Sequence, residues 1–196
     1  MVKRIYRSDT SGSNGNKGIS MEIERVEKLH AIGYGLKDSK VTLSRDVNFN
    51  VADIKVEGVT GEVMNLPHWV GRIISENKLG ELDAPDMITE LKQALSKEKM
   101  VGEYQVSTLD PHFYIKLKQH MQSLRRDDFD KVESMLLELF RMRRGKLVKL
   151  ADSTKLNSDL YNKLTVEESV FFKTIYDNSK NFENQIKSEY NEQGSN

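Results

Sequence analysis

The residues able to do acid–base or metal chemistry are few and widely spaced. The four histidines, His30, His68, His112 and His120, fall in three segments, and none forms the i, i+4 pair or HExxH arrangement that presents two ligands from one helical face. Surface or half-buried histidine without metal is the expectation. The absence of cysteine removes disulfides, thiol nucleophiles and thiolate zinc sites, and suits a reducing compartment. GYG at Gly33 to Gly35 reads as a turn, and no glycine-rich loop ends in Lys-Ser or Lys-Thr to cradle phosphate. Nothing resembles a nucleophile elbow. The adjacent carboxylates Asp127 with Asp128 and Glu167 with Glu168 stand at predicted helix starts, where negative charge favours the helix dipole, so neither pair needs a role in acid–base catalysis. The chain is read as a non-enzyme with no catalytic residue, no cofactor and no metal.

The one concentrated chemical group is cationic: Arg141, Arg143, Arg144, Lys146 and Lys149. They lie on a predicted long helix whose apolar stripe is Leu136, Leu139, Phe140, Leu147, Val148 and Leu150. Arg141 and Arg144 fall near one line of that helix and Arg143 and Lys146 near another, so cations border the stripe on both sides. Their stems could cover apolar surface while their charges stay solvated, or their guanidinium groups could pair with carboxylates of a partner subunit. Phosphate contact is a third reading. The spacing leaves these alternatives open.

A polar loop from Asp152 to Lys163 separates this helix from a shorter one opening at Thr165, with Glu168 placed to complete a capping box. That second helix should bury Val166, Val170, Phe171 or Phe172, Ile175, Phe182 and Ile186, and the two should form an antiparallel pair that needs other helices for stability. Upstream, helix starts are predicted at Asp83 with Pro85 and at Asp110 with Pro111. About four helices therefore follow residue 83.

The N-terminal part differs in kind. Residues 1–20 are polar and glycine-rich and read as a disordered tail. From 21 to 82, alternating Val41, Leu43, Val47, Phe49, Val51 and Ile54, interrupted by turn formers, predict a small strand-rich domain. It carries one short helix starting at Pro67, with Leu66, Trp69, Val70 and Ile73 as its core and the tryptophan as anchor. Residues 83–190 form the helical domain, and 191–196 a fraying tail. The fold class expected is α+β: a small strand-rich domain followed by an all-α helical bundle.

Thirty basic and thirty acidic residues cancel, so the chain is no polyelectrolyte built for nucleic acid and DNA contact should be weak at most. An apolar fraction of 37% implies an economical core or one completed by a partner. No apolar run approaches the roughly 18 residues of a membrane span, and the basic start, Met1 to Arg7, lacks the apolar core of a signal peptide. A soluble, intracellular protein with no membrane partner is expected.

The order LPHWVGRII, LDPHFYIKLKQHM, LELFRMRRGKLVKLA and LTVEESVFFKTIY resembles an archaeal GINS subunit, of the class in which a small β domain precedes the helical domain, like the eukaryotic subunits numbered two and three. The resemblance spans most of Val41 to Ile186. Leu66, Pro67 and Trp69 resemble the family's LPxW helix, Phe113 and Tyr114 its FY pair, and Arg141 to Ala151 its arginine-bearing central helix. Leu164, Thr165, Glu167 and Glu168 resemble its LTxEE start. The extension before Val41 and a spacer around Asp83 to Met100 depart from the pattern.

The resemblance implies a non-catalytic scaffold that joins the MCM replicative helicase to a RecJ-like protein and activates DNA unwinding. It would act as a tetramer with a sister GINS subunit, in the cytoplasm and at replication forks on the nucleoid. Its subunit interface would comprise Phe140, Leu147, Phe172 and Ile175 as bundle core, edged by Arg141, Arg144 and Lys149. The alternative from another class is a nucleic-acid-binding regulatory protein in which the strands and the Trp69 helix bind and the later helices dimerise; salt-dependent DNA affinity would mark it.

Overall fold

The computed structural model describes residues 25–26 and 28–193, with side chains as far as residue 187. The expected tail over 1–20 and the last residues of the expected C-terminal tail, 194–196, lie outside the described residues. An α+β architecture is present: a strand-rich N-terminal part, then helices as far as Gln193.

The first element is a helix, α1 (residues 28–35), where the sequence argued for a GYG turn. Two glycines disfavour a helix by roughly 1 kcal/mol each. Tertiary contacts override that preference, as His30 on α1 bonds Glu167 far along the chain. Strands β1 (Asp38–Leu43), β4 (Val63–Pro67) and β5 (Gly80–Leu82) form an antiparallel sheet ordered β4-β1-β5, while β2 (Val47–Val51) and β3 (Ile54–Gly58) form a separate hairpin. Period-two alternation turns Val41 and Leu43 inward from β1. They meet Val47, Val56, Leu66, Val70 and Ile74 in one core.

Helix α2 (His68–Glu76) closes this core, and its inward face is set by a glycine. A Cβ on Gly71 would stand 2.7 Å from Leu82 and 2.9 Å from Val41, so the helix lies close on β1 and β5 with Val70, Gly71 and Ile74 beneath it. Trp69 and Ile73 consequently flank that face. Trp69 is partly buried against the core, and Val70 and Ile74 are the residues that α2 buries fully. The tryptophan is thus a cover for the small core and not its anchor.

The helical part begins with α3 (Met87–Met100), capped by Asp86, whose Oδ1 accepts from the backbone N–H of Ile88 at 3.0 Å and of Thr89 at 3.3 Å. Helix α4 (Phe113–Gln122) and the 28-residue α5 (Arg126–Ser153) follow, then the single turn α6 (Ser158–Tyr161) and α7 (Val166–Gln193). One core joins Met87, Leu91, Ala94 and Leu95 of α3 to Phe113 and Leu117 of α4 and to Val132 and Leu139 of α5. Another joins Leu147 and Ala151 of α5 to Val106, Leu164 and Phe172. Helix α5 serves both.

Residue numbers on α5 and α7 rise together. Arg143 meets Glu168, while Leu147, Leu150 and Ala151 share a core with Phe171, Phe172, Ile175 and Tyr176. The two helices therefore run in the same direction, where an antiparallel pair was expected, and residues 154–165 make the return. Helix α7 is also as long as α5, at 28 residues, and continues past Tyr190. Helix α5 stops at Ser153, and in the second half of α7 Phe182 is 66% and Ile186 39% exposed, though both were expected to be buried.

At Gly80 a Cβ would sit 2.6 Å from the Thr42 carbonyl oxygen, which β-ladder pairing holds in place. Gly80→Ala should lower unfolding free energy by about 1–3 kcal/mol, read from urea unfolding followed by Trp69 fluorescence. By contrast Gly33→Ala, in α1 with nothing within 4 Å, should be neutral or stabilising by up to about 1 kcal/mol.

Candidate interaction surface

Between the two helical cores, one turn from Leu139 and one from Leu147, α5 places Arg143 at 1% exposure. Its Nε donates to Glu168 Oε1 at 2.6 Å and its Nη2 to Glu168 Oε2 at 2.7 Å, a bidentate pair. Its Nη1 donates to Glu98 Oε2 at 2.7 Å and to the Ser107 carbonyl at 2.8 Å, and Nη2 reaches the Lys163 carbonyl at 3.2 Å. Ser107 donates to Glu98 Oε2 through its hydroxyl at 2.7 Å and its N–H at 3.0 Å, and Tyr114 donates to Glu168 Oε1 at 2.8 Å. The guanidinium thereby fastens α3, the 101–112 segment and α7 to α5.

The local sequence explains each placement. Thr165 and Glu168 form the expected capping box, each backbone N–H donating to the other's side chain at 3.2 Å, which holds Glu168 where α7 begins. Glu98 lies in the last turn of α3. There Lys146 ends at 2.8 Å from Glu98 Oε1 and donates to the carbonyls of Glu98 at 2.8 Å and Val101 at 3.1 Å, so it caps the C-terminus of α3 from α5. Two cations and two carboxylates balance. Burial raises the Glu98 carboxyl, but Lys146, Ser107 and Arg143 outweigh it and hold the group below the usual carboxylate range. For Arg143, burial works against the charge, yet Glu168 and Glu98 raise its pKa. The Tyr114 hydroxyl is pushed far up by burial and by Glu168, and stays a donor.

Arg143 was expected among flanking cations on the helix border, and its position was the available signal. It stands four residues after Leu139 and four before Leu147, inside the apolar seam, where a cation must meet carboxylates.

The other expected surface residues separate into two groups. Leu147 and Phe172 occupy the chain's own core, so neither leaves area for a partner, and Ile175 is partly buried against them. Phe140 is 46% exposed, away from the core expected to hold it. Together with Leu137 and Val148 it forms an apolar strip on the outer face of α5, alongside Arg141 and Arg144. The Arg144 guanidinium lies over the Phe140 ring at 5.6 Å, and among the described residues neither Arg141 nor Arg144 pairs with a carboxylate. Lys149 is exposed and pairs within the chain with Glu103 at 2.7 Å. The small-domain residues Leu66, Trp69, Val70 and Ile73 lie apart from this face, on β4 and α2.

Three of the four histidines, scattered in sequence, gather in space. His30 stacks on His112 with ring centroids 4.5 Å apart, and Tyr34 contacts both His68 and His112. Among the described residues no group of three or more His, Cys, Asp or Glu side chains could hold a metal.

The chain thus places a strand-rich unit ahead of a helical bundle whose outer face is apolar and edged by arginines. A family model described as the GINS complex protein helical bundle domain, Sld5, matches residues 85–187. The chain belongs to this GINS family and is a GINS complex subunit of DNA replication, assembling with other GINS subunits into a hetero-oligomer. No curated protein matches the sequence. Among the described residues no helix is long and apolar enough to cross a membrane.

Arg143→Met leaves Glu98 and Glu168 buried without their shared cation and should cost about 3–5 kcal/mol of stability by urea unfolding. Arg143→Lys should recover little, since an ammonium cannot reproduce the fork. Glu98 has a folded pKa below its unfolded value, so its contribution is present above roughly pH 4.3 and is lost as pH falls through the lower folded value. Unfolding midpoints measured from pH 6 to pH 3 should fall less steeply in Glu98→Gln than in the native chain.

Proposed function

We propose that this protein is the archaeal GINS subunit of the class with the small β domain first, akin to the eukaryotic subunits numbered two and three. It acts without catalysis of its own, as a scaffold joining the MCM helicase to a RecJ-like protein and activating unwinding, in the cytoplasm at replication forks on the nucleoid. The strand-rich part preceding the family's helical domain supports the class. The balanced charge of the whole chain supports protein partners over DNA, to which contact is weak at most.

The observation that carries the subunit role is the uncovered flank. Leu137, Phe140 and Val148 on α5, and Phe182 and Ile186 on α7, remain exposed after the chain has formed its own cores, while Arg141 and Arg144 stand beside the α5 strip with no carboxylate partner among the described residues. Helices of a sister subunit would bury these apolar residues and supply acidic partners. Phe140, Arg141 and Arg144 then touch the sister chain directly, and Lys149 and Ile175 border the contact. Leu147 and Phe172 act behind it by fixing the helices.

Mixing the chain with a sister GINS subunit should give a tetramer of two subunit types in native mass spectrometry. Arg144→Glu should weaken that assembly at least tenfold without changing helical circular dichroism. A mutant that assembles like the native chain would remove Arg144 from the contact, and a native chain that stays monomeric beside its sister would overturn the reading.

A further inference from the structure

The small domain and α1 meet the helical bundle through a cluster of rings. On one side stand His30 and Tyr34 of α1 and His68 at the start of α2; on the other stand His112 before α4, Gln119 on α4 and Glu167 on α7. His30 Nδ1 lies 3.1 Å from Glu167 Oε1, and His68 bridges the two parts, with Nδ1 3.1 Å from Ser39 Oγ and Nε2 3.1 Å from Gln119 Oε1. Tyr34 lies 4.5 Å from the His68 ring and 5.1 Å from the His112 ring, which itself stacks on His30 at 4.5 Å. Three buried polar atoms here, His30 Nε2, His112 Nδ1 and Glu167 Oε2, have no hydrogen-bond partner among the described residues. We propose that this cluster is an acid-sensitive clasp, closed at neutral pH and released by protonation, which frees α1 and the small domain from the bundle.

The His112 ring lies face to face with His30, and among the described residues no carboxylate is bonded to it, so a charge placed on His112 would be held in the stack without a bonded counterion. The charged groups around the cluster are Lys37 beyond α1, Arg72 on α2, Glu90 on α3, and Asp110 and Lys116 at α4, the last two paired with each other at 3.2 Å. Burial, then Lys37 and His30, lower the His112 pKa against the pull of Asp110. Burial, with Arg72 and Lys116, lowers that of His68 against its bond to Gln119. Both imidazoles therefore bind protons more weakly closed than open. Closure is favoured above the free imidazole value of about 6.5 and weakens as pH falls below it.

The test uses the full chain at pH 7.5 and pH 5.5. Hydrogen exchange of residues 28–35, corrected for intrinsic rates, should accelerate at least tenfold at pH 5.5, and small-angle scattering should give a larger radius of gyration while residues 126–153 stay protected. The double variant His68→Gln, His112→Phe puts a neutral amide and a neutral ring in place of the two imidazoles and should stay closed at both values. Equal protection of α1 in the native chain at both pH values would overturn the proposal, as would opening of the double variant at the native midpoint. If that variant fails to fold, the native His112 ring resonance decides: titration below the free imidazole value in step with the loss of α1 protection supports the clasp, and titration at the free value refutes it.

Discussion

A single buried guanidinium determines how the helical half is put together. Arg143 occupies a position in the α5 stripe that would otherwise carry an aliphatic side chain, and it splits what could have been one continuous core into two. Burying a charge costs several kcal/mol, so the seam closes only when Glu98, Glu168 and the Ser107 carbonyl all arrive in place. A purely apolar seam would tolerate small slides of α3 or α7 along α5. The fork geometry of Arg143 does not, because a shift of one turn leaves two carboxylates buried and unpaired. Register in the bundle is therefore fixed by polar pairing, and stability comes from the apolar groups on either side.

Much of this was readable from residue order. The α+β division, the capping box at Thr165 and Glu168, and a long α5 with an apolar stripe all follow from periodicity and helix-start chemistry, because those signals are local. The failures were tertiary. GYG reads as a turn until contacts made by His30 and Tyr34 hold α1 in place. Trp69 reads as an anchor until Gly71 shows which side of α2 can approach the sheet. Arg143 carries the same letter as Arg141 and Arg144, and only its spacing from Leu139 and Leu147 distinguishes a buried fork from a solvated one. The four histidines are unremarkable in sequence because the folding of α1 against α4 and α7, not spacing, brings three of them together.

The outer face of the bundle is the complement of that fixed interior. With Leu147 and Phe172 used inside the chain, the strip of Leu137, Phe140 and Val148 is presented by a helix that cannot rotate, since turning α5 to hide the strip would break the Arg143 pairs. Interior polarity and exterior apolarity are in this sense one arrangement. On the proposed reading a sister subunit would meet a pre-set surface there, which lowers the ordering cost of assembly.

The second half of α7 has a further consequence. Here the helix is braced by Lys180, Glu183 and Lys187, ion pairs at 2.8 and 2.6 Å that lie open to water. Such pairs are screened as electrolyte concentration rises, whereas the enclosed pairs around Arg143 are shielded from it. Helix α7 thus combines a base indifferent to ionic strength with a tip that responds to it, so the salt of the surrounding medium tunes how stiffly Phe182 and Ile186 are held out.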